Sequence, residues 1–236
     1  MIAMYKRVLL KLSGEALSAP DFPFSTEMME KVALQVKQIR EMGVDVGIVV
    51  GGGNIARGRI FEELGFDRVE SDYAGMLATV INAVIFAAEL NKVGVKAKAL
   101  SAIKAQNVED YDPEKANKLI NEGYTLVFGG GVGLPYHSTD TGSAKRALEI
   151  GADVILMAKS GVDGVYDSDP DENPDAKRFD ELSFNDILRL NLKVIDAQAA
   201  EICAEGKIEG FVFNMTDEDN IVKAVKNEAV GTRITF

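Results

Sequence analysis

The sequence predicts an α/β fold with a parallel or mostly parallel sheet covered by helices on both faces. Two observations carry that prediction. Apolar runs such as Val46-Gly-Ile-Val-Val50 contain no polar spacer, which reads as strands buried on both faces. Such runs alternate with segments of helical spacing along the whole chain, and no Gly/Ser or Pro tract divides it. One domain spanning residues 1–236 is therefore expected.

Taken in order, Tyr5 to Leu12 is a strand that ends in Ser13-Gly14, with Lys11 at its carboxyl end. Ligands of open α/β sheets collect beyond the carboxyl ends of strands, so Lys11 is placed to meet a phosphate or else is a solvated surface lysine. From Ser25 or Thr26 as N-cap, Met28, Val32, Val36 and Ile39 trace one helical face that stops at Gly43. The strand at Val46–Val50 runs into Gly51-Gly-Gly-Asn-Ile-Ala-Arg-Gly58, and the pattern recurs at Leu126-Val-Phe-Gly-Gly-Gly-Val-Gly133. Three glycines allow positive φ and a close backbone approach to a phosphate, and Arg57 adds a guanidinium that can fork onto its oxygens. Two such loops suggest two phosphorylated ligands; the alternative is a pair of tight strand-to-helix turns.

Between the loops, Tyr73 to Ala88 carries no charge, and its polar side chains besides Tyr73 are Thr79 and Asn82. Sixteen such residues, rich in Ala and Gly, fall short of a membrane span, which needs about 20 strongly apolar ones. A helix apolar all round is instead buried, centrally in the monomer or in a subunit interface where Ala83 and Ala87 would allow close approach. Asp72 stands where its N-cap would be. Val95 to Leu100 is the next strand, and Asp112 caps a helix with Pro113 at its first position, ended by Gly123. Past Gly133, Leu134-Pro-Tyr-His-Ser-Thr-Asp140 leads into a helix for which Ser138, Thr139 and Asp140 are good caps. Asp153 to Ala158 is a strand, followed by Lys159-Ser-Gly-Val-Asp-Gly-Val-Tyr166 and an acidic loop. Asp167, Asp169 and Asp171 do not make a calcium loop, because Glu172 and Arg178 stand where Gly and Glu are required. Helices at 183–190, 197–205 and 220–226, the strand Phe211–Phe213 and a short terminal strand complete the pattern.

Composition narrows the function. With 26 basic against 37 acidic residues the formal charge is −11, which disfavours broad contact with nucleic acid or an anionic membrane. Cys203 and His137 are the single cysteine and histidine, so neither a disulfide framework nor a Cys/His zinc cluster can form; a reducing cytoplasm fits, and no export signal is read. Cys203 reads as core and His137 as a hydrogen-bonded scaffold residue in a turn. The Walker motif and the protein-kinase motifs are absent, and the Gly51 loop lacks the dinucleotide-binding spacing. Phosphoryl transfer needs donor and acceptor held in line and the moving charge neutralised, which Lys11, Arg57 and Lys159 could do.

Lys11-Leu-Ser-Gly-Glu-Ala16, Gly51-Gly-Gly-Asn54 with Arg57-Gly58, Asp72 with Gly75-Met-Leu-Ala-Thr79, Ser138-Thr-Asp140, Val162-Asp-Gly-Val-Tyr166 with Asp169-Pro170, and Phe213-Asn-Met215 resemble, in order, the motifs of the bacterial uridylate kinases of the amino acid kinase family. The resemblance runs nearly end to end. It implies a single three-layer αβα domain, ATP as donor, UMP as acceptor, Mg2+ carried on the ATP phosphates and no protein-held metal. It also implies a cytoplasmic homohexamer, with room for GTP as activator, since Met157-Ala-Lys-Ser-Gly161 resembles the Gram-positive-type members, and for UTP as inhibitor. By the same resemblance Lys11, Leu12, Ser13, Gly14, Gly53 and Arg57 meet ATP phosphates, and Ser160, Tyr166 and Asp169 line the adenosine end. Asp140 orients the lysines and Lys159 faces the transferring phosphoryl group. Gly52 and Asp72 hold UMP, Asp72 through its ribose, and Val132, Gly133, Leu134, Pro135, Tyr136, His137, Ser138 and Thr139 enclose it. Where the family often reads Thr-Gly-Asn-Pro and two aromatics, this chain has Val132-Gly-Leu-Pro-Tyr-His137, so base reading falls to backbone amides set by Gly133 and Pro135. Two competitors stand beside this reading. A carboxylate or carbamate kinase would want a cationic acceptor pocket, and residues 132–139 offer no Lys or Arg; a non-catalytic nucleotide sensor would tolerate loss of the lysines, which are present.

Overall fold

The structure is a computed structural model and describes residues 5–56, 58–159, 161–170, 172–217 and 219–236. Its strands are β1 (Arg7–Leu12), β2 (Asp45–Val50), β3 (Ala97–Ser101), β4 (Glu109–Asp110), β5 (Thr125–Gly129), β6 (Val154–Lys159), β7 (Val165–Tyr166), β8 (Arg178–Phe179), β9 (Glu181–Ser183), β10 (Glu209–Asn214) and β11 (Gly231–Thr235). Its helices are α1 (Thr26–Glu41), α2 (Gly58–Glu63), α3 (Arg68–Lys92), α4 (Pro113–Asn121), α5 (Thr139–Ile150), α6 (Phe184–Leu190), α7 (Ala197–Gly206) and α8 (Asn220–Val225), with a 3-10 turn at Gly14–Leu17.

Nine strands form one sheet in the order β4-β3-β5-β2-β1-β6-β10-β11-β9, parallel throughout except for the β10–β11 pair, while β7 and β8 make a separate antiparallel ribbon. From β1 the chain lays β2 beside it, steps out to β3 and β4 at the edge, returns to place β5 between β3 and β2, and then crosses to lay β6 on the other side of β1. That reversal opens the crevice beside β1 at the carboxyl ends, where α/β sheets bind ligands. Register keeps those ends level: Leu12 lies beside Val50 on one side and Ala158 on the other.

Side chains alternate across the sheet, so two cores form. Leu10, Leu12, Ile48 and Val50 pack with α1, α3 and α8, whereas Leu9, Val49, Phe128 and Met157 pack with α4, α5, α6 and α7. The result is the three-layer αβα arrangement, and burial on both faces explains the unbroken apolar runs of β2 and β5. The caps read from sequence are in place: Ser25 accepts the N–H of Met28, Asp112 that of Lys115, and Ser138 that of Thr141. The two-residue strands β4, β7 and β8 and the helix α2 carry too little periodicity to be read in advance.

One boundary is corrected. The central helix does not begin at Asp72; it begins a turn earlier, capped by Asp67, whose carboxylate accepts the N–H of Val69 at 2.8 Å. By length and composition α3 could cross a membrane, yet more than half of that window is buried in the fold, as befits a core helix. Ala83 and Ala87 face the sheet and not the outside. The outward stripe is Tyr73, Leu77, Ile81 and Val84, exposed by 42%, 51%, 46% and 42%.

Candidate active site

The two glycine loops differ in why they need glycine. Gly130, Gly131 and Gly133 hold φ of +78°, +56° and +83°, the left-handed region where a Cβ is strained. Gly51, Gly52 and Gly53 do not adopt positive φ, contrary to the sequence reading; close approach occurs at Gly52 and Gly53, whereas a Cβ on Gly51 would meet nothing nearer than Gly14 N at 3.4 Å. A Cβ on Gly52 would meet Gly75 O at 2.8 Å and Ala78 Cβ at 3.0 Å, and one on Gly53 would meet Glu15 Oε1 at 2.2 Å.

Both loops are tied to α3 by the two polar residues of its uncharged stretch. The Thr79 hydroxyl accepts the N–H of Gly130 at 2.8 Å and donates to Met76 O at 2.7 Å. Asn82 Nδ2 donates to Gly51 O at 2.6 Å and to Asn54 Oδ1 at 2.8 Å, and Asn54 Nδ2 donates to Pro23 O at 2.7 Å. Their three-residue spacing put Thr79 and Asn82 on one face, a signal present in the sequence but not read as an anchor.

Strand parity assembles the cations. Lys11 lies on the Leu9 side of β1 and Lys159 on the Met157 side of β6, both facing α5. Asp140, in the first turn of α5, forms an ion pair with Lys11. Lys159 Nζ donates to Val194 O at 3.3 Å. Burial first, and then the Lys11 charge, hold the Lys159 ammonium below the usual lysine value, with Asp140 opposing. Lys11, Asp140 and Lys159 are thus brought together. Leu12 is buried and its carbonyl accepts the N–H of Gly51; Ser13 caps the 3-10 turn; and Gly14 packs so tightly that a Cβ would meet Asn54 Oδ1 at 2.3 Å.

A cleft of about 560 Å³ opens alongside. Of the residues expected around UMP it is lined by Gly52, Asp72, Leu134, His137, Ser138 and Thr139, together with Gly53, which was expected on the ATP side. Val132, Gly133, Pro135 and Tyr136 shape the loop behind it: Gly133 N–H donates to Gly130 O at 2.9 Å and Tyr136 N–H to Asp72 Oδ2 at 2.7 Å. His137 Nδ1 donates to Gln198 Oε1 at 3.2 Å, the scaffold role expected of it, and Ser138 donates to Asp196, the cap of α7. Tyr166 and Asp169 stand outside the cleft lining. Tyr166 lies on β7, and its hydroxyl donates to Asp163 Oδ1 at 2.7 Å, which raises the phenol's pKa; Asp169 lies in the following loop, its carbonyl accepting the N–H of Asn173. Burial pushes the Cys203 thiol up to about 12, with Asp140 and Asp196 adding to it, so it is an inert core residue. The expected roles of Arg57 and Ser160 fall outside the described residues.

Sequence reasoning missed Arg68 and Glu62, which also line the cleft. The absence of Lys or Arg from 132–139 therefore does not leave the acceptor pocket without a cation, since Arg68 enters from α3. An Arg four residues before Asp72 was the available signal.

The Amino acid kinase family profile matches residues 6–214, the span that carries the cations, both glycine loops and the cleft. The chain belongs to the amino acid kinase family. It is 42% identical over 231 residues to a uridylate kinase of Corynebacterium glutamicum (strain R), covering 98% of this chain and 95% of the relative. Among solved structures, the UMP kinase from Bacillus anthracis superposes with a TM-score of 0.94 at 38% identity, covering 98% of this chain and 96% of that one. The UMP kinase from Ureaplasma parvum superposes with a TM-score of 0.93 at 38% identity, covering 98% and 99%. As a member of the amino acid kinase family, the chain places its cations and its cleft on either side of one helix N-terminus, that of α5.

Thr79→Val keeps the shape but leaves the buried Gly130 N–H without its acceptor. The expected loss is about 1–3 kcal/mol of stability, read from the denaturant midpoint, with Thr79→Ser near wild type. Equal midpoints for both variants would show that Thr79 does not hold the loop.

Proposed function

We propose that this chain is an ATP-dependent uridylate kinase, converting UMP to UDP in pyrimidine nucleotide biosynthesis, and that residues 1–236 work as one amino acid kinase-type domain. One observation carries the reading: Asp140, which holds Lys11, directly follows Ser138 and Thr139, which line the cleft containing Asp72. Donor-side cations and acceptor cleft thus share the N-terminus of α5, a natural site for the phosphoryl group in transit.

In this reading ATP phosphates meet Lys11, Leu12, Ser13, Gly14 and Gly53, with Arg57 beside them, and the adenosine reaches toward Ser160, Tyr166 and Asp169. UMP lies against Gly52, Asp72 and residues 132–139. An oxygen of the UMP phosphate bonds to the γ-phosphorus as the bond to the β–γ bridging oxygen breaks, and ADP leaves. The acceptor phosphate is already ionised near neutral pH, so no general base is required and His137 transfers no proton. Lys11 and Lys159 neutralise the charge spread over the moving group, and Asp140 orients Lys11. Magnesium, when bound, neutralises charge on the ATP phosphates. Lys11 takes up the Asp140 carboxylate, and no three His, Cys, Asp or Glu side chains gather as a metal cage among the described residues, which suits an ion carried by its nucleotide. A carboxylate kinase is disfavoured because the cleft's Arg68 is committed to Asp72 and Glu62. Against the sensor reading, Lys11, Asp140 and Lys159 form an intact charged cluster.

The same reading includes a cytoplasmic homohexamer with GTP as activator and UTP as inhibitor, making no use of nucleic acid or membrane. What supports assembly is the outward stripe of α3: at roughly 25 cal/mol per Å², several wet Ile, Leu and Val side chains forfeit several kcal/mol, and isologous pairing about a two-fold axis removes that cost.

A coupled assay for ADP release should show UMP turning over faster than CMP, AMP, glutamate or aspartate; faster turnover of any of these would overturn the assignment. Lys159 acts protonated, and its surroundings favour the neutral form, so it loses its proton at lower pH than an ordinary lysine. The alkaline limb of kcat/KM for ATP should therefore fall with an apparent pKa below 10.5, while kcat, reporting the complex with anionic phosphates, falls at higher pH. Lys159→Arg should remove that limb; an unchanged limb would assign it to another group. Ile81→Glu should dissociate the oligomer with circular dichroism unchanged. A single wild-type species near 25.5 kDa at micromolar concentration would exclude the interface.

A further inference from the structure

Arg68, the first residue of α3, shares its single Nε–H between both oxygens of Asp72, 3.0 Å from Oδ1 and 2.9 Å from Oδ2. Its Nη1 lies 3.2 Å from Glu62 Oε1 on α2, and its guanidinium carbon sits 5.7 Å from the centre of the Tyr136 ring. Tyr136 donates its backbone N–H to the same Asp72 Oδ2 and holds a left-handed φ of +66°, uncommon for a residue with a bulky side chain. One guanidinium therefore joins α2, α3 and the loop that closes the cleft. An exposed i,i+4 ion pair on a helix contributes little to stability, and the Arg68 side chain is 46% exposed. Its effect lies in geometry and charge.

Each carboxylate oxygen offers two acceptor sites. At Asp72, Oδ2 accepts the Tyr136 N–H and a share of the Arg68 Nε–H, whereas Oδ1 accepts only a share of that same Nε–H among the described residues and so keeps a site for a ligand. Arg68 thus fixes which oxygen, at which angle, can accept a hydrogen bond from a ligand in the cleft. It also offsets one of the two carboxylates, Asp72 and Glu62, that would otherwise repel an anionic acceptor. We propose that Arg68 is a positioning residue that presents Asp72 Oδ1 to one ribose hydroxyl of the acceptor, making the site selective for ribonucleoside over deoxyribonucleoside monophosphates. The inference rests on the uridylate kinase reading and on Asp72 as its ribose contact.

The experiment compares kcat/KM for UMP, 2′-deoxy-UMP and 3′-deoxy-UMP in wild type, Arg68→Ala, Arg68→Lys, Asp72→Asn and the Arg68→Ala/Asp72→Asn pair. Wild type should reject one deoxy analogue, because a site built around a hydroxyl is left unpaired without it. Arg68→Ala should raise KM for UMP and reduce that preference by ~10-fold or more, with kcat changed far less. Arg68→Lys restores charge but not the planar guanidinium that spans Asp72 and Glu62, so KM should recover while the preference stays low. In the double variant the second change should reduce the preference no further, since both act through one carboxylate. Thermal unfolding should shift little; if Arg68→Ala proves unstable, Arg68→Lys alone decides the question through its preference. A wild-type preference in either Arg68 variant would overturn the proposal and leave Arg68 as a surface ion pair. Wild type that phosphorylates UMP but rejects neither analogue would overturn it through the Asp72 contact, and wild type inactive on UMP would overturn the functional reading beneath it.

Discussion

Thr79 and Asn82, nearly one turn apart on α3, hold the loops after β5 and β2 through Gly130 N–H and Gly51 O, and the arrangement of the crevice depends on those two bonds. Buried backbone groups at the carboxyl ends of strands cannot reach another strand or water, so a side chain has to satisfy them. A helix otherwise apolar in this stretch supplies both partners from one face. The same face brings Gly75 and Ala78 against Gly52, which explains why small residues occupy those positions. Helix, loops and cleft are therefore one packed unit.

On the opposite face of the sheet the constraint is parity. Because side chains alternate, Lys11, next to last in β1, and Lys159, last in β6, emerge on the side of α5. There the first turn of the helix holds Asp140, and burial disfavours two neighbouring ammonium groups unless a carboxylate or an anion offsets them. The depressed pKa of Lys159 is the trace of that imbalance, and an anionic donor would relieve it. The next residues toward the amino end of α5 belong to the cleft, so the helix links the two halves of the reaction.

The carboxyl-end loop of one strand and the N-terminus of the following helix do much of the positioning. Ser138 caps α5 and donates to Asp196, which caps α7, while Val194 of the same connecting segment accepts from Lys159. The acceptor loop and a donor lysine are consequently braced by one stretch of backbone. Arg68 braces the far side of the cleft in the same manner, through Asp72 and Tyr136.

Local and one-dimensional signals determined much of this in advance. Uninterrupted apolar runs specify doubly buried strands, caps specify helix starts, and strand-to-glycine junctions mark the crevice, because each depends on residues adjacent in the chain. Lys11, Lys159 and both glycine loops were legible for that reason, and motif order added Asp72 and Asp140. Three-dimensional packing decided the rest. Whether Gly52 and Gly53 serve positive φ or close approach depends on Glu15, Gly75 and Ala78, which are remote or on another element. Strand order is set by crossovers that leave no periodic trace, and the two-residue strands are too short to show one. Which stripe of α3 stays exposed follows from the angle at which it lies on the sheet, so Ala83 and Ala87 turned inward while Leu77 and Ile81 turned out. Arg68 became part of the cleft only because α3 begins a turn earlier than its uncharged stretch and the distant Tyr136 loop folds back onto it. Contacts between residues far apart in sequence are fixed by tertiary packing, and no local pattern encodes them.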